Sequence, residues 1–156
     1  MTAQLNDYEI ERGKPMPSKN HSKLQTRLAT ALSNAYGNQF DILSEISLEM
    51  PVKDRTPDLA IYPAEQETDW LNDEIKIAEP PLGVVEIQSP TQGAQEMIDK
   101  IGEYFIAGVK SAWLVVLPFK TIYVFDAPRH YRTFTSEETL EDPRLGISLP
   151  LKEIFR

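Results

Sequence analysis

Leu82-Gly83-Val84-Val85-Glu86-Ile87-Gln88 is a near-continuous apolar run, with Pro80-Pro81 before it and Ser89-Pro90 after it. Its length and its flanking prolines predict a strand, and a strand with no polar face has to be covered on both sides. That requirement selects a sheet with helices packed on its two faces. The other periodic segments supply the layers. Ser18 is a candidate N-cap for a helix over residues 19–36, with Leu24, Leu28, Leu32 and Ala35 on one face and Gly37 as the stop. A second helix is predicted over residues 91–107, with Met97, Ile98, Ile101 and Phe105 as its apolar stripe and Gly108 as its cap.

The strands follow from alternation and turn chemistry. Residues 41–50 alternate Ile42, Ser44, Ile46, Leu48 and Met50 against Leu43, Glu45, Ser47 and Glu49, which predicts one half-buried strand. Residues 58–62 form the next. Residues 111–117 and 121–126 are strands joined by a hairpin at Pro118-Phe119-Lys120, residues 132–135 add a short edge strand, and residues 149–155 close with a helical turn. Ahead of the first helix, Tyr8-Glu9-Ile10 is β-type and Gly13-Lys14-Pro15-Met16-Pro17 is turn-rich. Residues 63–81 read as a long acidic loop with one short element at most. No repeat or linker divides the chain. The expected fold class is α/β, a single domain over residues 1–156 with a mixed central β-sheet flanked by helices.

Two of these strands each carry an acid that their neighbours do not explain, Asp58 and Glu86. A carboxylate in such a strand forfeits its hydration unless a cation, a proton or a donor compensates it. Sheet pairing can bring the two side by side. Carboxylate and carbonyl oxygens without Cys or His suit Mg²⁺ or Mn²⁺ rather than zinc, and such an ion can polarise a phosphodiester and activate water. Residues i and i+2 of a strand share a face, so Gln88 points with Glu86, where its amide can orient water or donate to phosphate. Lys100 in the following helix can stabilise charge developing at phosphorus. Plainer alternatives stay open: Asp58 as a turn residue after Pro57, and Lys100 in an exposed i−4 pair with Glu96, worth about 0.3–0.5 kcal/mol. Glu45 is a candidate accessory acid, whereas His21 reads as structural. Trp113, Phe119 and Tyr123 fit a core or hairpin better than a base-stacking platform.

Charge and composition bound the partners. Net charge is −8, and it is uneven: the balances over residues 1–56, 57–103 and 104–156 are 0, −9 and +1. The candidate site lies in the acidic third, which argues against tight, unaided binding to DNA. The absence of cysteine excludes disulfides, thiolate zinc sites and cysteine nucleophiles, and it fits a reducing, cytoplasmic setting. No apolar run is long enough for a membrane span, and residues 1–18 lack the apolar core of a secretory signal.

Pro57-Asp58 followed by Glu86-x-Gln88 resembles the PD-(D/E)XK nuclease signature, with Gln in place of the usual Lys. The ordered set of residues 80–91, Lys100, Tyr104, Gly108-Val109 and Trp113-Leu114-Val115-Val116 is similar to the Uma-type family of restriction-endonuclease-like proteins. The likeness extends to Tyr8-Glu9-Ile10, His21-Ser22 and residues 149–155, nearly the whole chain. It implies a restriction-endonuclease-like core and Mg²⁺-dependent hydrolysis of DNA. It also implies that Asp58, Glu86 and the carbonyl of Ile87 are metal ligands, and that Lys100 is the lysine moved from strand to helix. The departures are Gln88 and Glu96, where the family pattern has Lys and Asp. The expectation is therefore a Mg²⁺- or Mn²⁺-dependent endonuclease acting on DNA as a homodimer; a catalytically inactive binding or regulatory module of the same fold is the alternative.

Overall fold

The computed structural model describes residues 7, 14 and 16–156. The β-type segment at Tyr8-Glu9-Ile10 lies outside the described residues, as do Gly13 and Pro15 of the turn-rich stretch. The first helix, α1 (Lys19–Tyr36), is capped by the Ser18 hydroxyl, which accepts from the His21 N–H at 3.2 Å. Leu24, Leu28 and Leu32 are buried as expected, but Ala35 is exposed. The last turn is held by Tyr36 instead, whose hydroxyl accepts from Ser148 N and donates to Ser148 O.

Among the described residues six strands form a central sheet and four pair off in two small sheets: β1 (Phe40–Ser44), β2 (Ser47–Leu48), β3 (Leu59–Pro63), β4 (Lys76–Ile77), β5 (Gly83–Ile87), β6 (Ser111–Val116), β7 (Thr121–Ala127), β8 (His130–Thr135), β9 (Thr139–Asp142) and β10 (Ile147–Pro150). The central sheet has the order β1-β3-β5-β6-β7-β8. Only β5 and β6 run parallel, joined through the second helix, α2 (Ala94–Ala107); the other pairs are antiparallel. This is the mixed sheet between helices that the apolar run of β5 demanded, and all five residues of β5 are buried.

Side-chain alternation on β5 and β6 sorts the core into two layers. Val85, Ile87, Trp113 and Val115 pack with α1 and with Leu140, Ile147, Leu149 and Leu151 from the C-terminal hairpin and turn. Val84, Ala112 and Leu114 pack with Met97, Ile101 and Tyr104 of α2. The hairpin β9–β10 was not expected from the sequence. It is pinned to β6 by buried Asp142, which accepts from Ser111 Oγ, Trp113 Nε1 and the N–H groups of Arg144 and Leu145.

Two expectations need correction. The single strand over residues 41–50 is two, because Glu45 takes a left-handed conformation (φ 56°) that breaks the ladder, and β2 leaves to pair with β4. Helix α2 starts at Ala94, and its buried face is Met97, Lys100, Ile101 and Tyr104, with Ile98 exposed and Phe105 only partly buried. Of the core or hairpin offered for Phe119, the structure has the hairpin: it is 77% exposed at the tip of the β6–β7 connection. Lys120 beside it is left-handed (φ 46°), which closes that turn. Gly108 caps α2 at φ 106°, a value only glycine adopts without strain. Among the described residues no helix is long and apolar enough to cross a membrane.

Candidate active site

The pairing of β3 with β5 sets Leu59 opposite Val85, so one further step places Asp58 opposite Glu86. Directly opposed residues of an antiparallel pair point to the same side. Asp58 Oδ2 accepts the Ile87 N–H at 2.7 Å, which is the peptide linking Glu86 to Ile87. The two acids thus meet at the end of the sheet, as the strand argument required, and both are buried.

The segment carrying Asp58 is fixed from several directions. Its carbonyl accepts from Glu45 N at 3.1 Å and from Gln25 Nε2 at 3.2 Å. Three residues earlier, Arg55 exchanges backbone hydrogen bonds with Leu48, and its guanidinium donates twice to Glu103 of α2. Glu45, expected as an accessory acid, therefore contributes at least its backbone to the site.

Asp58 Oδ1 lies 2.7 Å from Lys14 Nζ and 3.2 Å from His21 Nε2. Lys14 also donates to the Thr56 carbonyl at 2.8 Å. Burial by itself pushes a carboxyl pKa up, but the His21 hydrogen bond and the Lys14 charge outweigh it and hold Asp58 down to about 2. His21 is buried with its Nδ1 unpartnered among the described residues, so Asp58 is the ring's one polar contact there. His21, read from the sequence as structural, is packed against the acid. Its signal was legible, since 21, 24 and 28 continue the buried helical face. Lys14 had no signal, lying in a Gly/Pro stretch that reads only as a turn.

Glu86 is compensated from α2. Tyr104 Oη donates to Oε1 at 2.5 Å, and Lys100 Nζ lies 3.7 Å from Oε2. Burial, then the charge and hydrogen bond of Glu86 and the charge of Asp58, push the Tyr104 phenol well above its ordinary pKa, with Arg55 opposing. Tyr104 is therefore a proton-bearing donor at any ordinary pH. The Lys100–Glu96 pair is not what forms: Glu96 is exposed, and Lys100 turns inward to Glu86. Gln88 departs from expectation as well. It lies past the end of β5, and its amide donates to the Gln92 carbonyl at 2.9 Å, closing the turn before α2 rather than joining the carboxylates.

The donors fit a hard divalent cation in kind: two buried carboxylates and the main chain of Ile87, with no thiolate. Among the described residues no three His, Cys, Asp or Glu side chains group as a metal cluster. The positive charge such an ion would bring to Asp58 is supplied here by the Lys14 ammonium. Asp58, Glu86, Lys100 and Tyr104 are all buried, and Lys14 lies over Asp58 at hydrogen-bond distance.

A profile of the Uma2 family, described as "Putative restriction endonuclease", matches residues 3–152. Among solved structures, a "putative nuclease belonging to DUF820" from Anabaena variabilis ATCC 29413 has the same fold. It superposes with a TM-score of 0.76 at 18% identity, covering 90% of this chain and 83% of that one. No curated protein matches.

Proposed function

This chain belongs to the Uma2 family, and on that footing we propose that it is a divalent-metal-dependent endonuclease that hydrolyses DNA phosphodiester bonds. The observation that carries the reading is the opposition of two buried acids at a sheet end, Asp58 against the peptide that follows Glu86, with Lys100 beside them. Asp58, Glu86 and the Ile87 carbonyl would hold Mg²⁺ or Mn²⁺. When bound, the ion supplies polarisation of a phosphate oxygen and a water acidified towards neutral pH.

The chain's own residues do the rest. Tyr104 fixes the Glu86 carboxylate by donating to one oxygen, leaving the other to face Lys100. The Lys100 ammonium, beside Glu86, would stabilise the negative charge that grows on the phosphoryl oxygens as water adds and the leaving oxygen departs. His21 and the Ile87 N–H orient Asp58. Gln88, bonded to Gln92, lies at the rim, where release of its amide would let it donate to phosphate. Homodimerisation follows from the two-fold symmetry of duplex cleavage.

Plasmid incubated with Mg²⁺ or Mn²⁺ should be nicked or linearised by the wild-type protein and left intact by Asp58→Ala. Equal cleavage by the two would remove the mechanism. A second reading, an inactive module that kept the fold, draws on one specific feature: Lys14 and Lys100 already neutralise the two carboxylates. Calorimetric titration separates the two, because an enzyme binds Mn²⁺ saturably and loses that binding in Glu86→Gln, whereas an inactive module binds none.

A further inference from the structure

Beside the sealed carboxylates runs an open surface whose chemistry the site does not use. A cleft of about 570 Å³ is lined by Ser18 and Asn20 at the start of α1, by Gln88 and Gln92, and by Leu117 and Phe119 of the β6–β7 connection. This lies at the carboxyl ends of the parallel strands β5 and β6, the usual place for a ligand in an open α/β sheet. It abuts the acids on two elements: Ser18 caps the turn that carries His21, and Gln88 follows the Ile87 that bonds Asp58. Through Asn20 and Leu117 the cleft continues into a second, basic one lined by Lys23, Arg27, Lys120 and Arg156. Among the described residues no Asp or Glu lines either cleft, in a chain of net charge −8.

On the wall of the first cleft, next in sequence to Lys120 of the second, stands Phe119, 77% exposed, an aromatic face with nothing to gain from water. An exposed ring between a polar rim and a row of cations is the combination that holds a nucleic-acid strand, by base stacking and phosphate neutralisation. The lysines are free to serve: Lys23 and Lys120 are exposed, while Arg27 is committed to the carbonyls of Ile154 and Arg156. We propose that this surface is the strand track: the polynucleotide leaves the carboxylate site over Gln88, stacks a base on Phe119 and lays its phosphates along Lys120 and Lys23. A merely acidic partner would use the cations and ignore the ring. The proposal rests on the nuclease reading and assigns the local basic surface that the overall charge conceals.

Fluorescence anisotropy with a labelled single-stranded oligonucleotide in EDTA tests it, with an abasic strand of equal length as second probe. Phe119→Ala should weaken binding of the normal strand about 5- to 150-fold, the range of one lost stacking contact, and leave the abasic strand unaffected. Lys23→Glu and Lys120→Glu should each weaken both strands and lower the slope of log affinity on log salt by at least about 0.7. Lys110→Glu, exposed at the opposite end of β6, should change neither. Phe119→Ala binding like wild type, or the two reversals losing no more than Lys110→Glu, overturns the track. If those variants are neutral while wild type still cleaves, the track alone falls. If wild type binds no strand at low salt and also leaves plasmid intact with Mn²⁺, the nuclease reading falls with it.

Discussion

Replacing Asp58 by Asn tests the electrostatics of the site without using activity. In the folded protein the Asp58 carboxyl is held at about 2, against an ordinary value of 3.8, because the His21 and Lys14 contacts outweigh burial. The folded state therefore binds fewer protons than the unfolded chain between those values, so stability rises with pH there. The contribution is fully present above about pH 4 and is lost as pH falls through about 2. A depression of this size corresponds to about 2 kcal/mol, at roughly 1.4 kcal/mol per unit. Urea unfolding of wild type and Asp58→Asn at a series of pH values from 2 to 6 reads this as a difference curve, in which the other carboxylates largely cancel. The wild-type advantage should shrink by about 2 kcal/mol between pH 5 and pH 2. A difference that stays flat across the window, or grows as the solution is acidified, refutes the claim that Asp58 is ionised and paired with Lys14 and His21.

Lys14→Met should cost about 1–3 kcal/mol in urea unfolding, since it leaves a buried carboxylate with only His21 and the Ile87 N–H; it should also tighten Mn²⁺ binding in calorimetry if the ammonium and the metal compete for Oδ1. Tyr104→Phe removes the one donor to Glu86 Oε1, and a loss of about 1–3 kcal/mol by thermal or urea unfolding is expected; an unchanged midpoint would mean the hydroxyl does not satisfy that acid. Trp113→Phe deletes the N–H to Asp142 and leaves a smaller ring in the buried indole's place, so at least about 1–3 kcal/mol should be lost, with the hairpin's amides exchanging faster than those of β6. Sedimentation at working concentration should give the mass of a dimer, and a monomer mass would remove that part of the functional reading.

Where the sequence misled, it did so for a common reason. On α2 the hydropathy pattern placed Ile98 inside and left Lys100 between the site and an exposed pair with Glu96, yet Lys100 is buried and Ile98 half exposed. A helix packed over the strand face that carries Glu86 has to present a cation and a donor to it, and hydropathy assigns no inward preference to either residue. Gln88 went astray for a related reason: strand parity applies only while the strand lasts, and β5 ends at Ile87. The break at Glu45 had no Gly or Pro to announce it.

What the chain dictated by itself was the frame. An unbroken apolar strand, two capped amphipathic helices and alternating segments between turns are local patterns, and local sterics and solvation suffice to specify them. The two acids were also visible, because a carboxylate in an apolar strand stands out against its immediate neighbours. Only the tertiary structure decided which cations answer them. Lys14 reaches Asp58 across 44 positions, and Tyr104 reaches Glu86 across 18. Such contacts depend on how the layers are docked, and no local period encodes that.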